Sequence, residues 1–330
     1  MADTMRKIRW GILSTAKIGM EKVTPAIQLA SNCQVVAIAS RDHGRATAAA
    51  SRLGIPAAYS SYEALLAAED VDAIYIPLPN DMHAEWTMKA AAAGKHILCE
   101  KPLAMSASQA GEMVTACAQA GVMLVEAFMY KHHPSWVEAV HLVRSGAIGD
   151  LQAIQSWFSY YNSDPLNIRN RMENGGGAIM DIGCYNINLS RLLFADEPSR
   201  IQASVRRDPV MEIDTVSSVV LEFPGGGQST FTCSTRAESY QRVHIVGSSG
   251  RIEIEIPFNI PPDQETRIFF TRGGEPSETP GTQTIVFRPA DQYTIQAELF
   301  AQAILDDTDF PVPTSDAVAN MQVIDEILGR

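Results

Sequence analysis

Two side chains that could share a proton stand four residues apart in the stretch GGGAIMDIGCY, Gly175 to Tyr185: the carboxylate of Asp181 and the phenol of Tyr185. On a helix that spacing puts both on one face. An acid beside a phenol makes a workable proton relay when a lysine is near, because an ammonium group lowers the phenol pKa toward the working range. The plainer alternative, and the better one for these two residues taken alone, is a helix cap and a core ring with its hydroxyl satisfied. A lysine is available in ILCEKP, where Lys101 follows a strand-like run and Pro102 stops further pairing. The bond before Pro102 can be cis, which would re-aim the lysine. In isolation Lys101 reads as an ordinary solvated lysine.

A second group of residues suits phosphate. GILSTAKIG follows the first strand-like run and opens a helix, where a dinucleotide fold places its pyrophosphate loop. Read against Gly-x-Gly-x-x-Gly, Ser14 to Gly19 keeps only the last glycine, with Ser14 and Ala16 in the first two places. Small residues still let the backbone approach an anion, and a helix N-terminus still supplies oriented N–H groups. An ordinary tight turn from strand to helix would look the same. At the end of the second strand an NAD-binding fold usually carries an acid for the ribose 2'-hydroxyl, whereas here the chain reads Ala39, Ser40, Arg41. A hydroxyl followed by a guanidinium suits a 2'-phosphate, with Arg45 one turn further on as support; a solvated arginine is the alternative. Asn80 in IPLPND and Lys101 both fall at strand ends on the carboxyl edge of the expected sheet, where such folds bind ligands.

Other chemistries find no support. His132 and His133 are adjacent, so their side chains diverge and make a poor pair for one metal. Neither HEXXH spacing nor GxSxG occurs, so metal and nucleophilic hydrolytic sites are set aside and no metal is expected.

The elements that must position these residues follow from pattern. Over the first 126 residues β-branched runs alternate with Ala-rich stretches, which predicts a doubly wound parallel sheet. Its strands are expected at Ile8 to Leu13, Gln34 to Ala39, Ala57 to Tyr59, Ala73 to Ile76, His96 to Cys99 and Met123 to Glu126. Helices fall at Met82 to Ala93 and Ser106 to Ala120, with Gly94 and Gly121 as stops. Beyond Lys131 come a helix (Pro134 to Arg144), a long strand (Leu151 to Tyr161) and a helix from about Gly177 to Phe194. Strands follow in series at Ser199 to Val205, Thr215 to Phe223, Gly227 to Ser234, Arg242 to Val246 and Arg251 to Ile256. That series implies a large, mainly antiparallel sheet in an α+β second domain. Helices near Gln292 to Leu305 and Ser315 to Leu328 close the chain.

Composition agrees. Its 330 residues predict about two domains, and 46% hydrophobic residues exclude disorder. A net charge of -12 works against nucleic acid as a partner. The sequence has no apolar run long enough for a membrane span and opens on no signal-peptide pattern. Five scattered cysteines without a CxxC pair suit reduced thiols in the cytoplasm.

Taken together, GILSTAKIG, the strand-end SRD, YIPLPNDMHAEW, GKHILCEKPLA, EAFMYKHHP and GGGAIMDIGCYNI, in this order and spacing, resemble the glucose-fructose oxidoreductase / inositol dehydrogenase / MocA (Gfo/Idh/MocA) family over nearly the whole chain. The most specific elements are Glu100 to Pro102 and Gly175 to Tyr185. WGILST, EAFMY and Asn167-Ile168-Arg169 are most similar to the NADP-dependent xylose dehydrogenase / dihydrodiol dehydrogenase branch. The departures are the first two fingerprint glycines, a substitution typical of that branch, and Lys131, where close relatives usually carry Arg. The proline-rich arm of glucose-fructose oxidoreductase is missing, which argues against its tightly held cofactor.

The resemblance implies a Rossmann NAD(P)-binding domain over residues 1–128 and a substrate-binding domain over 129–330. The open sheet of the second would join homodimers or homotetramers, and the active site would lie between the domains. Lys101 matches the family's catalytic lysine, Asp181 its aspartate, and Tyr185 the residue that exchanges a proton with the substrate hydroxyl. Ser14, Thr15, Ala16 and Ile18 would line the pyrophosphate loop, and Ser40 with Arg41 the 2'-phosphate. Asn80 would lie by the nicotinamide ribose, with Pro79, His83 and Glu100 also on the cofactor's side. Asn167 and Arg169 are candidates for substrate hydroxyls. The implied activity is hydride transfer between NADP(H), ahead of NAD(H), and a CH–OH carbon of a sugar such as D-xylose or of a cyclic diol. Two alternatives remain at this point: a ketosugar reductase of the anhydrofructose type, and a dinucleotide-binding sensor or repressor partner without turnover.

Overall fold

The computed structural model describes residues 6–273 and 281–330. By internal contacts the chain forms two units, one running to Met129 and regaining Tyr293–Met321, the other spanning Tyr130–Gln292 and Gln322–Arg330.

The first unit is a parallel sheet of β1 (Ile8–Leu13), β2 (Cys33–Ala39), β3 (Ala57–Tyr59), β4 (Ala73–Ile76), β5 (His96–Cys99) and β6 (Leu124–Glu126), in the order β3-β2-β1-β4-β5-β6. The order reverses between β1 and β4, the switch point at which doubly wound sheets bind ligands. Short apolar runs such as AIYI in β4 are buried on every residue, as a sheet covered on both faces requires. Its helices are α1 (Thr24–Leu29), α2 (His43–Leu53), α3 (Tyr62–Leu66), α4 (Asn80–Ala92) and α5 (Ala107–Ala120). Caps set their ends: Asp42, Ser61 and Ser106 each accept a backbone N–H of the first turn, while Gly54 and Gly121 end α2 and α5 in the left-handed conformation. Later in the chain α8 (Gln292–Asp306) and the start of α9 (Ser315–Leu328) rejoin this unit, where Phe300 packs on Trp10 with ring centroids 5.0 Å apart. Burying two such rings contributes about 3 to 6 kcal/mol, so the core of the first unit is completed only by this returning segment.

The second unit contains α6 (Pro134–Arg144), β7 (Leu151–Tyr161), α7 (Cys184–Phe194) and the strands β8 (Arg200–Arg207), β9 (Asp214–Glu222), β10 (Gln228–Ser234), β11 (Arg236–Gly247), β12 (Gly250–Ile254), β13 (Thr266–Arg272) and β14 (Thr282–Phe287). They form one sheet in the order β14-β13-β12-β11-β7-β10-β9-β8, antiparallel except between β7 and β10. Both sheets match the expected architecture. Strands β13 and β14 were not anticipated, because their sequences show no clean alternation of apolar and polar residues. β11 starts six residues earlier than expected, through a polar stretch with a pairing irregularity between Arg236 and Tyr240. One face of the sheet meets α7 and α6, where Ile154, Phe158, Phe231 and Val243 are buried. On the other face Gln155, Trp157 and Ser218 are exposed.

Candidate active site

Each unit assembles its own half of the predicted residues. In the first, Ser14 takes the place of the first fingerprint glycine with φ at +128°, a conformation that favours glycine. Its hydroxyl offsets the strain by accepting the Ala16 N–H at 3.2 Å and donating to the Pro77 carbonyl at 3.3 Å. Gly19 keeps the third position for a packing reason, since a Cβ there would lie 3.3 Å from Pro77 Cγ and 3.6 Å from the Tyr75 ring. The helix that follows opens with a π-helical turn, Gly19–Val23. Thr15, Ala16 and Ile18 are half-buried around the loop, leaving it partly open.

At the end of β2 the strand-end acid is already engaged. Asp42 accepts the Arg45 N–H at 3.0 Å as the cap of α2, and its own N–H is held by Ser40 Oγ at 3.3 Å. The side chains of Arg41 and Arg45 are exposed. This edge therefore presents guanidinium groups, and its one carboxylate is turned to a helix, which fits a 2'-phosphate better than a bare 2'-hydroxyl.

The loops after β4, β5 and β6 are laced together. His83 is fully buried, with ring nitrogens 2.8 Å from the Leu78 carbonyl and 3.0 Å from the Pro102 carbonyl. It braces the loop carrying Pro79 and Asn80 against the one carrying Lys101, and burial pushes its imidazole pKa down. Glu100 accepts the Tyr75 hydroxyl at 2.6 Å, and Glu126 accepts the Leu103 N–H at 2.8 Å. The Lys101–Pro102 bond is cis. Lys101 and Asn80 are half-buried at this edge.

In the second unit the three glycines explain themselves. Gly175 ends a 3-10 turn at φ +71°; a Cβ on Gly176 would lie 2.6 Å and 2.7 Å from the carbonyls of Arg169 and Arg171; Gly177, at φ +117°, leaves no room for a Cβ beside Asp214. Asp214 is buried and accepts the Ile179 N–H at 2.8 Å, capping the segment that carries the site. That segment is a π-helical turn, Ile179–Gly183, running into α7, so Asp181 sits on the widened turn and Tyr185 on the helix proper. Such turns cluster at functional sites.

The Asp181 carboxylate is gripped on both oxygens: Oδ2 accepts the phenol of Tyr160 in a short hydrogen bond, and Oδ1 accepts Arg169 Nε at 3.0 Å. Asn167 Oδ1 accepts the Arg169 N–H at 3.0 Å, so the expected pair Asn167 and Arg169 does come together, one residue shaping the backbone of the other. Buried Asn170 and the Arg236 guanidinium hold the same loop through the Asn162 carbonyl. Tyr185 is 5% exposed, with its ring among Phe258 at 5.1 Å, Phe158 at 5.7 Å and Tyr130 at 5.9 Å. His132 and His133 are pushed down to about 4 by burial, aided at His132 by Lys131. Among the described residues no group of three or more His, Cys, Asp or Glu is placed to hold a metal.

Tyr160, Asp214, Tyr75 and Arg236 are absent from the expected site. For Tyr160 a signal exists, since alternation along β7 puts it on the same face as Phe158; for the others spacing offers none.

Comparison with known proteins accords with this geometry. Residues 8–128 match the family profile described as oxidoreductase family, NAD-binding Rossmann fold, and residues 136–253 match the GFO/IDH/MocA C-terminal domain. D-xylose 1-dehydrogenase (NADP(+)) 2 of Haloferax volcanii is 40% identical, over 96% of this chain and 95% of its own length. The trans-1,2-dihydrobenzene-1,2-diol dehydrogenase of Mus musculus is 34% identical, over 75% of this chain and 74% of its own. Among solved structures, the 3-ketoreductase KijD10 from Actinomadura kijaniata in complex with NADP and TDP-benzene superposes with a TM-score of 0.89 at 28% identity, covering 98% of both chains. With both domains of the pattern matched in one chain, the protein belongs to the Gfo/Idh/MocA oxidoreductase family.

Proposed function

We propose that this oxidoreductase moves hydride between NADP(H) and a CH–OH carbon of a sugar or cyclic diol, with Tyr185 as acid and base. The observation that carries the reading is the helix start holding Asp181 and Tyr185, with the Asp181 carboxylate gripped by two donors. The first unit fits the cofactor through the small-residue loop Ser14–Gly19 and the exposed guanidinium groups of Arg41 and Arg45, in line with the NADP named for two of the relatives.

When bound, the nicotinamide supplies or accepts hydride at C4. The protein's part is placement and the proton. In oxidation the Tyr185 phenolate takes the substrate's hydroxyl proton, and Lys101, by its match to the family's lysine, is assigned to orient the substrate's hydroxyl. Asp181, held by Tyr160 and Arg169, accepts a hydrogen bond from the substrate. Arg169, half-exposed on its loop, contacts further hydroxyls, and Asn167 keeps its backbone in place. His83 serves the cofactor edge as a brace, keeping Asn80 and Lys101 in position. In reduction the same residues run backward, and relatives named as sugar 3-reductases favour that direction as the second reading. The sensor alternative is disfavoured because Lys101, Asp181 and Tyr185 are all present.

The protein is further proposed to be cytoplasmic, in line with five scattered, buried cysteines without a CxxC pair, and to pair through the open face of its sheet. That face carries Trp157 and Tyr240, 38% and 51% exposed, beside a depression of about 680 Å³. Initial rates of NADP⁺ and NAD⁺ reduction across aldoses, inositols and dihydrodiols, with Tyr185→Phe as control, test the reading. Turnover with NADP⁺ that the control loses supports it; turnover that the control keeps refutes the assignment of Tyr185.

A further inference from the structure

We infer that Tyr160, at the end of β7, is a positioning residue that fixes Asp181 as an oriented acceptor, with Arg169 as its exchangeable counterpart. This deepens the reading above and rests on Asp181 belonging to the reacting centre.

The two grips on Asp181 differ in kind. Tyr160 reaches Oδ2 from the sheet, and burial, followed by the neighbouring carboxylate, pushes its phenol well up, so it stays a neutral donor across the working range. A neutral donor held inside the protein is not readily displaced by substrate, so this bond persists through turnover. Arg169 reaches Oδ1 at 3.0 Å from a side chain that is 45% exposed, whereas Asp181 is 13% exposed. A half-exposed guanidinium loses little by turning toward a substrate hydroxyl, and a substrate hydroxyl can then donate to the oxygen it releases. Oδ2 is thus the fixed end of the carboxylate and Oδ1 the working end.

Other charged and titratable groups pack around the pair. Arg236 of β11 acts on Tyr160 only through its charge and holds the Asn162 carbonyl. The Cys233 thiol of β10 is pushed up by burial and stays neutral. Tyr185 lies one turn along the same chain segment. Tyr160 and Arg169 donate to the carboxylate from their side chains, one to each oxygen.

Tyr160→Phe removes the hydroxyl and keeps the ring, so packing along β7 is preserved. Loss of one donor favours the protonated carboxyl, which in the reducing direction, where Tyr185 starts protonated, moves the acid limb of kcat/KM upward by about 1 to 2 pH units. At the optimum kcat falls about 10-fold, with KM for NADP⁺ unchanged. Arg169→Gln, in contrast, raises KM for the sugar or diol with little change in kcat. An acid limb within about 0.2 units of wild type in a folded Tyr160→Phe protein assayed in the reducing direction overturns the inference, as does a Tyr160→Phe effect confined to KM for the sugar or diol. Tyr185→Phe separates the two levels of the account: if it is inactive while Tyr160→Phe behaves as wild type, only the role of Tyr160 is lost; if it keeps full activity, the functional reading itself fails.

Discussion

Ser14 illustrates how a degraded motif can keep its geometry. The first fingerprint position still has φ at +128°, yet a serine occupies it and uses its hydroxyl to hold Ala16 and Pro77. Ser14→Gly removes the strain together with those bonds and is expected to be near neutral in stability. Ser14→Ala keeps the strain and loses the bonds, so it lowers stability by about 1 kcal/mol; thermal melts of the two variants check the contrast. At the other end of the cofactor edge, Arg41→Ala is expected to raise KM for NADP⁺ about 10- to 100-fold with little effect on NAD⁺, which the ratio of kcat/KM for the two cofactors reads directly. Ser40-Arg41, Lys101 and the pair Asp181 and Tyr185 could be picked out as candidates because each lies at a strand or helix end within a recognisable motif. Tyr160 and Asp214 were not, since their contacts depend on how β7 and β9 lie against the turn 179–183, a matter of packing that no local spacing records.

At the scale of elements, the strands of the first unit were legible almost to the residue, because fully buried runs such as AIYI contrast sharply with their Ala-rich neighbours. The return of Tyr293–Met321 to the first unit was not. An amphipathic helix advertises an apolar face without saying which core it completes. Each glycine of the triglycine has a separate duty. Gly176→Ala must push its Cβ against the carbonyls of Arg169 and Arg171, now 2.6 Å and 2.7 Å from where it would sit. A loss of about 1 to 3 kcal/mol and a raised KM for substrate are expected, from thermal melts and initial rates. Gly183→Ala meets Cys233 Sγ and Ile179 Cδ1, each at 3.1 Å. Side-chain atoms give way more readily than backbone, so its effect is expected to be the smaller of the two.

For the whole molecule, the family and its two-domain layout were legible from motif order, whereas assembly and substrate choice belong to surfaces that one sequence does not arrange in space. The sheet face bearing Trp157 and Tyr240 gives a specific expectation: the protein sediments as a dimer or tetramer at micromolar concentration, and Trp157→Glu with Tyr240→Glu shifts it toward monomer because two apolar rings are lost and like charges would be buried across the shared face. A wild-type monomer would count against this assignment. The central claim, that hydride passes between substrate carbon and NADP(H) with Tyr185 moving the proton, is tested most directly by isotope transfer. A substrate that turns over is labelled with deuterium at the carbinol carbon, and the NADPH formed by wild type and Tyr185→Phe is analysed. Deuterium on the nicotinamide, with the rate in Tyr185→Phe reduced about 10²- to 10⁴-fold while NADPH binding is retained, is the predicted result; unlabelled NADPH, or an undiminished rate in the variant, contradicts it.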